Sequence, residues 1–205
     1  HPIIMSIRTD HQFISEWVSH GSRVLDLGCG DGSLLCNLIE NKKVCGYGIE
    51  IDPDNIKKCI TTGVNVIHGN IERGLSDFDN DSFDYVIMSQ TLQALLNPAQ
   101  LIEEMLRVGE QGIVTFPNFG YWRNRLQISL SGKMPVSKTI PYQWYDTPNI
   151  HLCTIKDFEK LCKDKNINII QKTFTDNHSQ SGFLLNTFPN LFGKLALYHF
   201  EKVTP

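Results

Sequence analysis

No C-x-x-C pair occurs among the six cysteines, which stand at positions 29, 36, 45, 59, 153 and 162. That spacing excludes the common zinc frameworks and a compact secreted disulfide scaffold, and leaves buried, reduced thiols as the expectation. Apolar runs approaching the roughly 20 residues of a membrane helix are also missing. Basic excess is lacking too. With 19 Lys and Arg against 22 Asp and Glu, the net charge is −3, so the wide positive face of a general nucleic-acid binder is not expected. Nothing near the start reads as a secretory signal, which makes a cytoplasmic protein the expectation. Residues 1–4 precede Met5 and are expected to be foreign to the native chain. Internal repeats and low-complexity tracts are absent.

What is present is an ordinary globular composition, 41% hydrophobic and 20% charged over 205 residues, enough for one domain with a full core. Short apolar runs alternate with helical periodicity, the pattern of a mostly parallel sheet covered by helices. A helix is expected over 11–19, capped by Asp10, and strands over 23–27, 44–51, 64–67, 83–88 and 112–116. Between them, Leu34, Leu35, Leu38 and Ile39 mark one helix and Pro53 opens another. Asn97-Pro98 opens a third, which Gly109 is expected to end. Thr154 is placed to cap a later helix, and 167–174 and 195–203 read as closing strands. Such a series of βα units folds as a doubly wound, Rossmann-like sheet with helices on both faces.

The chemistry concentrates after the first strand. Gly28, Gly30 and Gly32 form a G-x-G-x-G turn in which backbone can approach a ligand without an intervening Cβ. Ser33 stands where a dinucleotide fingerprint requires its third glycine, and Asp26 adds negative charge where a pyrophosphate would lie. Asp26 suits instead the ammonium of an amino-acid tail. Glu50, closing the second strand, is placed to accept from ribose hydroxyls. Asn70 follows the third strand and can meet an adenine edge, with Ile51 and Ile71 either side of the ring. With Cys29 in the turn and Ser89 after the fourth strand, these residues form the expected site for S-adenosylmethionine or S-adenosylhomocysteine.

Val24-Leu25-Asp26-Leu27-Gly28-Cys29-Gly30-Asp31-Gly32 resembles the first motif of class I S-adenosylmethionine-dependent methyltransferases. A narrower resemblance is to the MetW family of methionine biosynthesis. Three segments carry it: Ser89-Gln90-Thr91-Leu92-Gln93, Phe116-Pro117-Asn118-Phe119-Gly120-Tyr121-Trp122-Arg123, and the run from Pro141 to Thr154. The resemblance implies a seven-stranded sheet whose last strand is antiparallel, and cofactor contacts at Asp26, Gly28, Gly30, Glu50 and Asn70. It departs at Asn70, where the wider class often has an acidic residue. It further implies a link to a homoserine O-acyltransferase partner.

Residues 117–150 break the βα rhythm with four prolines, six aromatics and the charges Arg123, Arg125, Lys133 and Lys138 against Asp146 alone. This stretch reads as a lid or insertion, helical near 121–131. Trp122, Arg123, Tyr142, Trp144, Tyr145 and His151 have the composition of a substrate pocket or a partner surface. Asp146, Tyr145 and His151 are the candidates for a general base, with a structural role weighed more heavily for His151. Two functions follow: a cofactor-binding subunit that activates or regulates the acyltransferase, or a catalytic small-molecule methyltransferase.

Overall fold

The structure, a computed structural model, describes residues 9–137, 139–176 and 183–203. Lys138 and residues 1–4, both considered above, lie outside them. The order of elements is α1 (Thr9–Trp17), β1 (Arg23–Leu27), α2 (Ser33–Lys42), β2 (Cys45–Glu50), α3 (Pro53–Thr61) and β3 (Asn65–His68). There follow β4 (Phe83–Ser89), α4 (Pro98–Val108), β5 (Gly109–Pro117), α5 (Trp122–Ser131), α6 (Ile155–Asp164), β6 (Ile167–Thr175), α7 (Phe183–Thr187), α8 (Pro189–Phe192) and β7 (Leu195–Lys202).

The strands form one seven-stranded sheet in the order β3-β2-β1-β4-β5-β7-β6. The first five run parallel, while β7 pairs antiparallel with both β5 and β6. Alternate residues of the central strands feed two cores, as a period of two requires. Val24, Tyr85, Ile87 and Ile113 meet Ile14 of α1, Val18 just beyond it, and Leu34, Leu35 and Leu38 of α2. Leu25, Leu27, Val86, Met88, Val114 and Phe116 meet Leu101 and Met105 of α4 and Phe158 of α6. Chain order reverses between β1 and β4, since β1 leads to β2 on one side while β4 flanks it on the other. Such a switch point opens a crevice beyond the carboxyl ends of both strands.

Two local expectations change. Asp10 does not cap α1 but lies inside its first turn, almost fully buried, with its carboxylate among β4 and β5 side chains. Gly109 does stand just beyond the end of α4, as expected, but β5 begins there rather than at Gly112. Its φ of −120° and ψ of 150° are extended, and it pairs with Phe83, so α4 runs directly into β5. The Thr154 cap does form, as a capping box in which Asp157 bonds back to the Thr154 N–H at 3.1 Å.

His199 of β7 is buried, stacked on Trp17 at 5.7 Å and tilted against Tyr85 at 5.9 Å, with Nε2 bonded to Gln111 Oε1 at 2.8 Å. Burial lowers its pKa below the ordinary 6.5, against a smaller opposing pull from Glu201. As pH falls, the unfolded chain therefore takes up this proton before the folded one does. Stability is expected to be full above about 6.5 and to decline below it. Urea unfolding from about pH 7.5 to about pH 5.5 should show a shallower decline for His199→Gln.

Candidate functional site

The glycine turn closes against the end of β2. The N–H groups of Gly28 and Cys29 both donate to the Ile49 carbonyl, at 2.8 and 3.1 Å. Gly30 N–H donates to Glu50 Oε2 at 2.8 Å, and Glu50 Oε1 accepts from Ile51 and Asp52 at 2.8 and 2.9 Å. Gly28, Gly30 and Gly32 have φ of 71°, 57° and 77°, a region that other residues enter at a cost of ~1–2 kcal/mol. Close approach to the sheet is also needed. A Cβ on Gly48 of β2 would collide with the Cys29 thiol, which is itself 3.9 Å from Cys59 Sγ of α3. Burial pushes both thiols up, away from the reactive thiolate form.

Around this turn lies a cleft of about 300 Å³, lined by His11, Asp26, Gly28, Cys29, Gly30 and Asp31, with Ser33, Leu34, Asn55, Lys58 and Ser89 completing it. The volume is at the lower end for a small-molecule site. Asp26 is only 2% exposed and Glu50 8%. Burial works against ionisation of Asp31, but hydrogen bonds from the Ser33 side chain and N–H outweigh it and hold its carboxyl below the usual value.

These contacts test which ligand the residues suit. A phosphate site needs N–H groups pointing outward at a helix start. Here the N–H groups of Gly28, Cys29, Gly30, Gly32 and Ser33 are all committed within the protein. A Cβ on Gly30 would meet nothing within 4 Å, so its open side faces free space. The cleft thus sets Asp26 and Asp31 against the single Lys58, with a bare backbone face whose N–H groups are already engaged, which suits a cationic nucleoside better than a nucleotide.

Sequence-expected residues divide by position. Asp26, Gly28, Cys29, Gly30 and Ser89 come together around the cleft, and Glu50 joins them through Gly30. Ile51 and Asn70 stand exposed on the loops after β2 and β3. The Asn70 side-chain oxygen accepts from Glu72 N–H at 2.9 Å and caps a short 3-10 turn. Ile71 lines a separate cavity of about 60 Å³ with Leu95 and Leu101. His11, Asn55 and Lys58 were missed. Asn55 and Lys58 are three apart on α3 and so share a helix face, a spacing the sequence did offer.

Beside the cleft, the turn after β4 is tightly cross-linked. Asp10 Oδ2 accepts from Ser89 Oγ at 3.2 Å and Gln90 Nε2 at 2.9 Å. Gln90 holds φ of 54°, a left-handed conformation for a non-glycine residue, pinned by its N–H to Thr115 O and Oγ1 at 2.9 and 3.1 Å.

Residues 117–152 supply none of the cleft lining. Asn118 instead ties three segments together. Its Nδ2 donates to Asn190 O and Gly193 O at 3.1 and 2.8 Å, and its Oδ1 accepts from Gly120 and Ile155 N–H at 2.9 and 3.4 Å. Asn118→Ala would leave several buried groups unpaired, and a loss of about 3 kcal/mol in urea unfolding is expected. A loss below about 1 kcal/mol would show the hub to be dispensable. Several large apolar side chains beyond it stand exposed. Trp144 and Tyr145 are 73% and 71% exposed, in edge contact at 5.8 Å, and Tyr142, Ile150, Leu152 and Leu130 are exposed with them. Arg123 lies over the half-buried Trp122 ring at 5.3 Å, and the exposed His151 ring contacts the Leu96 carbonyl through Nε2 at 3.2 Å.

A sheet in this strand order, with helices on both faces and a cleft at the switch point, defines the Rossmann-like methyltransferase fold. An S-adenosylmethionine-dependent methyltransferase from Mesorhizobium loti superposes with a TM-score of 0.68 at 13% identity, over 93% of this chain and 96% of that one. The [4+2]-cyclase SpnF does so with a TM-score of 0.67 at 16% identity, over 95% and 81%. At such identities the likeness is one of fold alone. The chain belongs to the MetW family, since the model for methionine biosynthesis protein MetW matches residues 8–200. It is 34% identical over 214 residues to the bifunctional methionine biosynthesis protein MetXA/MetW of Rhodopirellula baltica. That match takes in 98% of this chain but only 34% of the relative, so the chain spans about a third of its length. Among the described residues, no helix is long and apolar enough to cross a membrane.

Proposed function

We propose that the cleft binds S-adenosylmethionine or S-adenosylhomocysteine, and that the protein acts in the cytoplasm by activating or regulating a homoserine O-acyltransferase docked on its aromatic surface. The observation that carries this reading is the separation of the two features. The cleft around Asp26 is built without residues 117–152, and those residues leave Trp144 and Tyr145 in solvent. An exposed aromatic pair outside the cleft lining is the mark of a protein interface rather than of an acceptor site. Support for the occupant comes from the Rhodopirellula relative, whose name joins MetXA to MetW in one chain. We read residues 8–205 as one domain in which 117–150 form this docking insertion rather than a lid.

In this reading Asp26 holds the ammonium of the ligand's amino-acid tail, and Gly28 and Gly30 admit the ligand to the backbone. Glu50 fixes the turn and offers a remaining lone pair to the ribose. The loops carrying Ile51, Asn70 and Ile71 flank the adenine. When bound, S-adenosylmethionine would supply a sulfonium methyl group. The chain's own residues bind and orient it, and the partner supplies the acyl-transfer chemistry.

The test is reconstitution of the chain with the acyltransferase, with and without S-adenosylhomocysteine. A complex and a changed acylation rate are expected. No complex and no rate change would overturn the reading, whereas labelled methyl transfer from S-adenosylmethionine to a metabolite would place the chain among catalysts.

A further inference from the structure

We infer that the turn Ser89–Gln93 is a coupling element, through which ligand occupancy of the cleft and docking at the 142–152 surface change one another. This rests on the cofactor and partner reading above and names how the two sites communicate.

The turn touches both sites. At one end Ser89 lines the cleft, and the Thr91 side chain sits 3.0 Å from where a Cβ on Gly28 would project, so it packs on the glycine turn. At the other end the Gln93 carbonyl accepts from the N–H groups of both Ile150 and His151, at 2.8 and 3.0 Å. Between the ends, Gln93 Nε2 donates to the Gln90 carbonyl at 2.8 Å. Gln90 in turn reaches Asp10, which also takes the Ser89 hydroxyl. A shift of Ser89 or Thr91 on ligand entry is thus transmitted over a few bonds to the backbone of the exposed aromatic segment.

Two further observations favour a turn able to rearrange over a rigid strut. Gln90 is held at φ of 54° although it has a Cβ, and its conformation is maintained by bonds to Thr115 and Asp10. The Gln93 side-chain oxygen is buried with no hydrogen-bond partner, so its amide is satisfied on one side only. A strained residue followed by a half-satisfied amide is poised to rearrange when either neighbour moves. Gln90 and Gln93 are therefore positioning residues, with no place in the cleft lining. Linkage requires the effect to run both ways: if the ligand alters partner affinity, the partner alters ligand affinity by the same factor.

The experiment measures amide hydrogen exchange of the whole chain with and without S-adenosylhomocysteine, beside calorimetry of the same ligand. In the wild-type chain, ligand should change exchange at Ile150 and His151 at least fivefold, although neither lines the cleft. Gln90→Gly accepts the positive φ without strain and loses the Asp10 bond, and Gln93→Ala loses the bond to the Gln90 carbonyl. Both variants should bind S-adenosylhomocysteine within about threefold of wild type while losing most of the exchange response at 150–151. An unchanged response in both variants would overturn the inference, as would wild-type binding with no response there. Absence of any calorimetric binding to wild type is a different failure, which removes the cofactor reading and the coupling with it.

Discussion

Glu50→Gln should weaken S-adenosylhomocysteine binding by at least about tenfold and lower stability by about 1–3 kcal/mol. Both effects come from one carboxylate. Its Oε2 holds Gly30 N–H and its Oε1 holds Ile51 and Asp52, so three N–H groups converge on two oxygens at 2.8 to 2.9 Å. A glutamine amide must turn its NH₂ toward Gly30 or toward the other pair, and in either orientation a donor faces a donor. The glycine turn then loses its tie to β2, and its positive-φ backbone is no longer held open toward the cleft. A carboxylate offers about four acceptor directions, so one remains for a ribose hydroxyl, and the substitution weakens that bond as well. Calorimetry and urea unfolding read the two effects separately. Binding and stability both equal to wild type would show that Glu50 does not organise the site.

Replacing Trp144 and Tyr145 together by alanine should reduce affinity for the acyltransferase by at least about 100-fold, because exposed aromatic anchors dominate interface energetics. The fold should hardly notice. Both rings stand mostly in solvent, in edge contact with one another, so the change in unfolding free energy should stay within about 0.5 kcal/mol. S-adenosylhomocysteine binding should also persist, since neither residue lines the cleft. Surface plasmon resonance against the acyltransferase decides it. Undiminished association would move the partner to another face.

Much of the architecture was legible in order. The run Arg23–Leu27 is β1 at its expected bounds, Pro53–Thr61 is α3, and Thr154 caps α6. These depend on local rules: apolar alternation, proline at a helix start, and a side chain capping its own backbone three residues on. Gly109 does follow the last residue of α4, though not in the conformation that the local rule suggests. A glycine after a helix suggests a left-handed stop, but the demand of β4 for a pairing partner drew it into extended β5.

The site divides along the same line. Sequence alone determined the G-x-G-x-G turn with Asp26 before it and Glu50 after it, because positive φ at three glycines and carboxylates at strand ends are encoded within a few residues. Only the tertiary structure decided what those groups are bonded to. Glu50 turned inward to Gly30, Asp10 left its expected cap to gather Ser89, Gln90 and Thr115, and Asn70 spent its oxygen on a 3-10 turn. Asp10 lies 79 residues from Ser89 and 105 from Thr115 along the chain. Contacts at such separations are set by how layers pack, and no local periodicity records them. The same holds for Trp144 and Tyr145, which hydrophobicity alone would have buried. They stand in solvent because the two faces of the sheet are already filled by α1, α2, α4 and α6.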